Sequence, residues 1–156
     1  MKYAICYVST ASQELQNSDL KDVMNKTLHY NLKEGLKGIL LYSEGNFLQV
    51  LEGDKKILLP LYTKIECDTR HKDIIQIVGK EIAHGAYDSY ETRTLSDDKY
   101  YDTPELLKEY MTPIQGMDYP IQETIKICLK HFSKQGPFYN TILLCLLAFY
   151  ISYTKL

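Results

Sequence analysis

The chain has 156 residues, of which 45% are apolar and 24% charged, a length that suits one domain of ordinary size and not two. So much apolar side chain is what a folded domain needs and a disordered chain lacks. With a net charge of -2 and an isoelectric point near 6.1, the chain lacks the basic footprint of a nucleic-acid binder.

Lys2 to Thr10 alternates, is rich in β-branched and aromatic residues, and reads as a strand. Ser18 is placed as an N-cap. Leu20, Val23, Met24 and Leu28 then recur at helical spacing, predicting a helix to about Asn31. Lys37 to Ser43 and Asn46 to Glu52 are two short apolar strands joined by Glu44-Gly45, the spacing of a tight hairpin. Asp54 can cap a second helix whose inward face is Ile57, Leu58, Leu61, Tyr62 and Ile65, with Pro60 expected to kink it or delay its start. Lys72 to Ala83 and Tyr90 to Leu95 read as a longer and a shorter strand.

The order β-α-β-β-α-β-β predicts an α+β fold, a ferredoxin-like sheet with two helices on one face. Beyond Asp97, Thr103-Pro104 and Pro120 open two further amphipathic helices, expected to cover the other sheet face. The division is therefore 1–96 as the core, 97–137 as a helical extension and 138–156 as an apolar tail. From Phe138 onward the only charged side chain is Lys155. A span needs about 20 apolar residues, so a buried or oligomer-forming helix and a short membrane anchor both stay open.

Several chemistries lack their motif. Cys6, Cys67, Cys128 and Cys145 form no CxxC, and His29, His71, His84 and His131 show no ligand spacing, so neither a structural zinc nor another metal is expected. Reduced cysteines and the absence of a signal peptide at Met1 to Ile5 predict a cytoplasmic protein. No GxGxxG, P-loop or GxSxG occurs. The segment after Tyr7 has no arginine, which disfavours an acylphosphatase-type hydrolase on the same fold.

What stands out is polar side chains where a core is expected. Tyr7 shares a strand face with Tyr3 and Ile5, and Gln49 shares one with Phe47 and Leu51. Asn31 closes the first helix and points a second amide the same way. A buried amide without partners costs on the order of 1–3 kcal/mol, so Tyr7, Gln49 and Asn31 together suggest a flat polar ligand read through hydrogen bonds. For Tyr7 alone, one core aromatic among fourteen tyrosines is the plain alternative.

Tyr7-Val8-Ser9, Asn31, Gly35-Leu36-Lys37-Gly38-Ile39-Leu40-Leu41-Tyr42, Gly45-Asn46-Phe47-Leu48-Gln49-Val50-Leu51-Glu52-Gly53 and Asp68-Thr69-Arg70-His71 resemble, in order and spacing, the BLUF domains, blue-light sensors that use flavin. The resemblance covers residues 1 to about 96. It implies a photoreceptor that is not an enzyme, with a non-covalent flavin, usually FAD, FMN being the alternative, held between the two helices. It further implies Tyr7 as electron and proton donor to the excited flavin and Gln49 as the bridge that rearranges afterwards. Asn31 would bond the ring's C4 carbonyl and N3 edge, Val23 and Ile65 would pack on its faces, and Arg70 and His71 would face the ribityl-phosphate side.

Two positions depart from the family pattern. Tyr90 and Thr92 stand where a Trp and a Met are usual. Thr92 can offer a hydroxyl to Gln49, and Tyr90 is either a second electron donor or a plain strand aromatic. The sixty residues after the core leave no room for a cyclase, phosphodiesterase or kinase domain, so output is expected through the C-terminal helices to a downstream partner protein, with a homo-oligomer and tail-mediated membrane contact as further expectations. The competing reading is a light-insensitive ferredoxin-like interaction module anchored by its tail.

Overall fold

The computed structural model describes residues 1–94 apart from Glu44, and beyond them Lys108, Thr112, Gln115, Gln122, Glu123 and Lys126. The chain divides into two compact units, Met1–Leu95 and Ser96–Leu156. The expected C-terminal helices, their covering of a sheet face and the apolar tail fall outside the described residues. No helix among the described residues is long and apolar enough to cross a membrane.

The first unit runs β1 (Lys2–Ala11), α1 (Asn17–Lys33), β2 (Lys37–Ser43), β3 (Asn46–Asp54), α2 (Lys55–Glu66), β4 (His71–Glu81) and β5 (Tyr90–Thr94). The five strands form one sheet in the order β4-β1-β3-β2-β5. All neighbours are antiparallel except β5, which lies parallel to β2 at the edge. This is the expected α+β, ferredoxin-like arrangement.

Local chemistry explains the element ends. Ser43 and Asn46 are partners in the β2–β3 register, leaving the two-residue hairpin loop that the sequence implied. Helix α1 starts earlier than expected: Gln16 takes the N-cap position in place of Ser18, and the Asp19 carboxylate reaches back to accept from the Gln16 amide at 3.3 Å. Its far end closes on Gly35, whose φ of 67° lets its N–H fold back onto Leu32. Asp54 caps α2 as expected, accepting from the Lys56 amide at 2.8 Å. Pro60 neither delays nor splits α2, which is continuous from Lys55 to Glu66. The proline sits on the exposed side, where water can satisfy the Lys56 carbonyl it leaves without an intrahelical donor.

The helices bury one face of the sheet. Leu20 and Met24 of α1 and Leu58 and Tyr62 of α2 meet Ile5, Tyr7, Leu40, Phe47, Leu51 and Tyr90 in a single apolar cluster. Leu58 is 0% exposed. Removing its side chain takes away its transfer energy and leaves a cavity. Leu58→Ala is expected to lower stability by about 3 kcal/mol, measurable as a shift of the urea-unfolding midpoint.

Candidate functional site

The cluster is not filled along its whole length. Between α1, α2 and the sheet lies a cavity of about 300 Å³, at the lower end of the range for ligand pockets, roughly 300–1,000 Å³. Tyr7, Val23, Asn31, Gln49, Ile65, Arg70 and His71 all line it. These seven come from five different elements and the loop before β4, and the fold brings them to one place.

The polar groups of the floor are ordered by register. Tyr7 of β1 and Gln49 of β3 are directly paired residues, so their side chains leave the sheet side by side. The Tyr7 hydroxyl donates to Gln49 Oε1, and Gln49 Nε2 donates to the Tyr90 hydroxyl. Gln49 is thus held at both ends of its amide by a buried phenol, Tyr7 at 4% exposure and Tyr90 at 2%. From the sequence, Thr92 can offer a hydroxyl to Gln49. The partner of Gln49 on β5 is Tyr90 instead, while Thr92 is half-buried and lies opposite Leu40 in the parallel register. Burial raises the Tyr7 phenol well above its ordinary pKa, the neighbouring Tyr90 adding to the effect. Burial raises Tyr90 as well, opposed by the adjoining Gln49 and Asn31 amides. Both phenols keep their protons throughout the neutral range.

Among the described residues, one buried side-chain group has no hydrogen-bond partner. Asn31, 2% exposed, carries a buried Nδ2 that makes no hydrogen bond. It lies beside the Tyr90 phenol without hydrogen-bond geometry and lines the cavity. An unpaired buried amide of this kind is costly, on the order of 1–3 kcal/mol, unless an acceptor enters the cavity to meet it.

Walls and mouth differ from the floor. Val23, Leu61 and Ile65 present apolar surface from the two helices, and Lys26, Lys64 and Arg70 bring cationic groups to the lining. Arg70 Nε donates to the Asp68 carboxylate at 2.9 Å, and hydrogen bonds from Arg70 hold the Asp68 carboxyl below its ordinary pKa. His71 is more deeply tied than a phosphate-facing side chain would be. Its Nε2 donates to the Ile65 carbonyl at 2.8 Å, which leaves Nδ1 opposite the Ser9 hydroxyl at 2.8 Å. Its ring also meets Tyr7 and Phe47, with centroids 6.2 Å apart in each case.

Lys26, Tyr30 and Lys64 were not singled out from the sequence, and Leu61 only as part of the inward helix face. The signal was available, since each lies three or four residues from a residue that was, or from the next in the series, on the same helix face. Glu52 was missed as well. Its buried carboxylate accepts from the Ala86 amide at 2.8 Å and the Tyr87 amide at 3.2 Å, fixing the approach to β5.

Residues 3–93 match the family described as BLUF, sensors of blue-light using FAD. The chain belongs to the BLUF family. Among curated proteins, it is 30% identical to the beta subunit of photoactivated adenylate cyclase from Euglena longa over 110 residues, 70% of this chain and 13% of that protein. It is 34% identical to the alpha subunit from Euglena gracilis over 85 residues, 54% of this chain and 8% of that one. Among solved structures, the calcium/cy-diGMP complex of BlrP1 from Klebsiella pneumoniae matches with a TM-score of 0.68 at 26% identity, over 85% of this chain and 34% of that chain. BlsA in its ground state shares the fold, with a TM-score of 0.60 at 21% identity over 87% of this chain and 90% of that one. The BLUF chain thus spans about an eighth of the first of the curated relatives and a third of BlrP1.

The BLUF cavity fits the flavin that the family binds. A flavin ring is flat and apolar on its faces, with a row of carbonyls and nitrogens along one edge. The unpaired Asn31 amide and the Tyr7–Gln49 pair offer that edge donors and acceptors. Val23, Leu61 and Ile65 offer the faces apolar contact, and the cations of the lining suit a phosphate.

Proposed function

We propose that this chain is a blue-light receptor that holds FAD non-covalently in the cavity between α1 and α2, with Tyr7 and Gln49 as the groups that respond to light. The observation that carries the reading is Gln49 hydrogen-bonded to Tyr7 at the cavity floor, beside the unpaired Asn31 amide. The flavin supplies the absorption of blue light and a ring that can take up an electron. Asn31 would hold the ring's polar edge, Val23 and Ile65 would enclose its faces, and Arg70 would meet phosphate. His71 orients Ser9 and backs the Tyr7 ring. Tyr7 holds its proton at Oη against Gln49 Oε1, and Gln49 is the side chain free to change which of its two amide atoms faces Tyr7.

The same reading makes the chain a sensor module and not an enzyme. Its message leaves through the segment after β5 to a partner protein in the cytoplasm, with self-association or membrane contact of the tail as further parts of the output. The cyclase relatives support a sensor that controls something else, because the shared segment is a small fraction of their length.

The test is an absorption spectrum of the purified protein before and after blue light. We expect a flavin spectrum that moves to longer wavelength on illumination and returns in the dark. Chromatography of the released cofactor separates FAD from FMN. A colourless protein that gains no flavin on reconstitution with FAD or FMN would leave the light-insensitive interaction module standing.

A further inference from the structure

Gln49 is flanked by two phenols, and the second stands where an indole is usual in the family, two residues before the place of a thioether. The three candidate side chains differ in what they can do for an amide. A phenol both donates and accepts, an indole only donates, and a thioether is only a weak acceptor. The amide of Gln49 has a donor end and an acceptor end, and its two orientations exchange them. In the orientation seen here Tyr7 donates to Oε1 and Tyr90 accepts from Nε2. In the reversed orientation Nε2 faces Tyr7 and Oε1 faces Tyr90, and the Tyr90 hydroxyl has only to rotate its hydrogen to donate. No proton changes owner.

We propose that Tyr90 is a positioning residue that satisfies both orientations of the Gln49 amide, so that the reversed orientation, once reached, is held by the protein itself and relaxes slowly. The proposal rests on the photoreceptor reading above. Three observations support it beyond the hydrogen bond. Tyr90 is 2% exposed, so water does not compete for its hydroxyl. Its ring belongs to the apolar cluster, which fixes the hydroxyl against Gln49. The amides of Ala86 and Tyr87, just before β5, are clamped by the buried Glu52 carboxylate of β3, three residues along the strand from Gln49. The two strands that carry the contact are thereby held to each other independently of it.

The experiment compares the holoprotein with Tyr90→Phe, which keeps the ring and removes the hydroxyl. Both are illuminated and followed by absorbance as they return to the dark state. One hydrogen bond to a buried amide corresponds to roughly a five- to tenfold change in a rate or equilibrium. We expect Tyr90→Phe to keep flavin and light response and to recover about five- to tenfold faster. A normal light response with recovery unchanged within about twofold would overturn the assignment while leaving the photoreceptor reading intact. Absence of any light response in the unmodified protein would remove that reading, and this proposal with it. A second measurement serves if Tyr90→Phe does not bind flavin: a light-minus-dark infrared spectrum of unmodified protein with isotope-labelled tyrosine. Two tyrosines changing their hydrogen bonds is the expected result. A single one overturns the proposal, and because hydrogen bonding at a phenol moves its C–O band, a merely structural role for Tyr90 gives no second signal.

Discussion

Tyr7→Phe is expected to bind flavin and to show no light-induced spectral change. The substitution keeps the ring, and with it the contacts of Tyr7 to Tyr62 and His71 at 5.6 and 6.2 Å between centroids. Only the hydroxyl is lost, and with it the donor to Gln49 Oε1. The cost is one buried acceptor left without its donor, about 1–3 kcal/mol, small beside a domain stability of about 5–15 kcal/mol. The folded protein and its cavity therefore survive, while the group that holds a proton against Gln49 is gone. Difference spectra of the two proteins under the same illumination decide it. A normal red shift in Tyr7→Phe would remove Tyr7 from the response.

Gly38→Ala should damage the protein most, and for a reason unconnected with light. Gly38 has a φ of 133°, which side chains rarely adopt, and a Cβ placed on it would lie 2.0 Å from the Val50 carbonyl oxygen of the paired strand. The obstacle is backbone, so no rotamer relieves it. Its N–H also donates to Ser89 O at 3.0 Å, joining β2 to the residue just before β5. Pushing β2 away from β3 would loosen both joints. Overpacking costs about 1–3 kcal/mol and a disfavoured backbone conformation a similar amount, so a loss of about 5 kcal/mol is expected, a third or more of the roughly 5–15 kcal/mol that stabilises an ordinary domain. Chemical denaturation, or failure to accumulate as soluble protein, would show it. A variant as stable as the parent would mean that the close approach of Gly38 to Val50 is not required.

Much of this was readable in the sequence, because period fixes which face a side chain takes. The spacing of Leu20, Met24, Leu58 and Tyr62 identified the helix faces, and the alternation of β1 and β3 put Tyr7 and Gln49 on the buried side. Which strands become neighbours is another matter. Nothing in Tyr90 to Thr94 announces pairing with β2 in parallel, and that pairing decides whether Tyr90 or Thr92 reaches Gln49. Helix starts depend on competing caps: Ser18 is a good capping residue, but the Asp19 carboxylate accepting from the Gln16 amide sets the start two residues earlier. Pro60 was weighed by its intrinsic penalty, whereas its exposed position in α2 leaves the orphaned carbonyl to solvent. Glu52 escaped notice because a carboxylate at the end of a strand reads as surface, and the amides that hold it come from a loop thirty-four residues away.

The sheet is not equally stiff along its width. β3 lies at its centre with a strand on each side, while β5 is five residues long, among the described residues paired only with β2, and tethered at its leading end by Glu52. It is the slightest member of the sheet, clamped near Ala86 and bonded to Gln49 at Tyr90. A force between Gln49 and Tyr90 therefore deflects the lighter member, and β3 serves as the anvil. A displacement produced there would run along β5 toward Thr94, away from the Glu52 clamp.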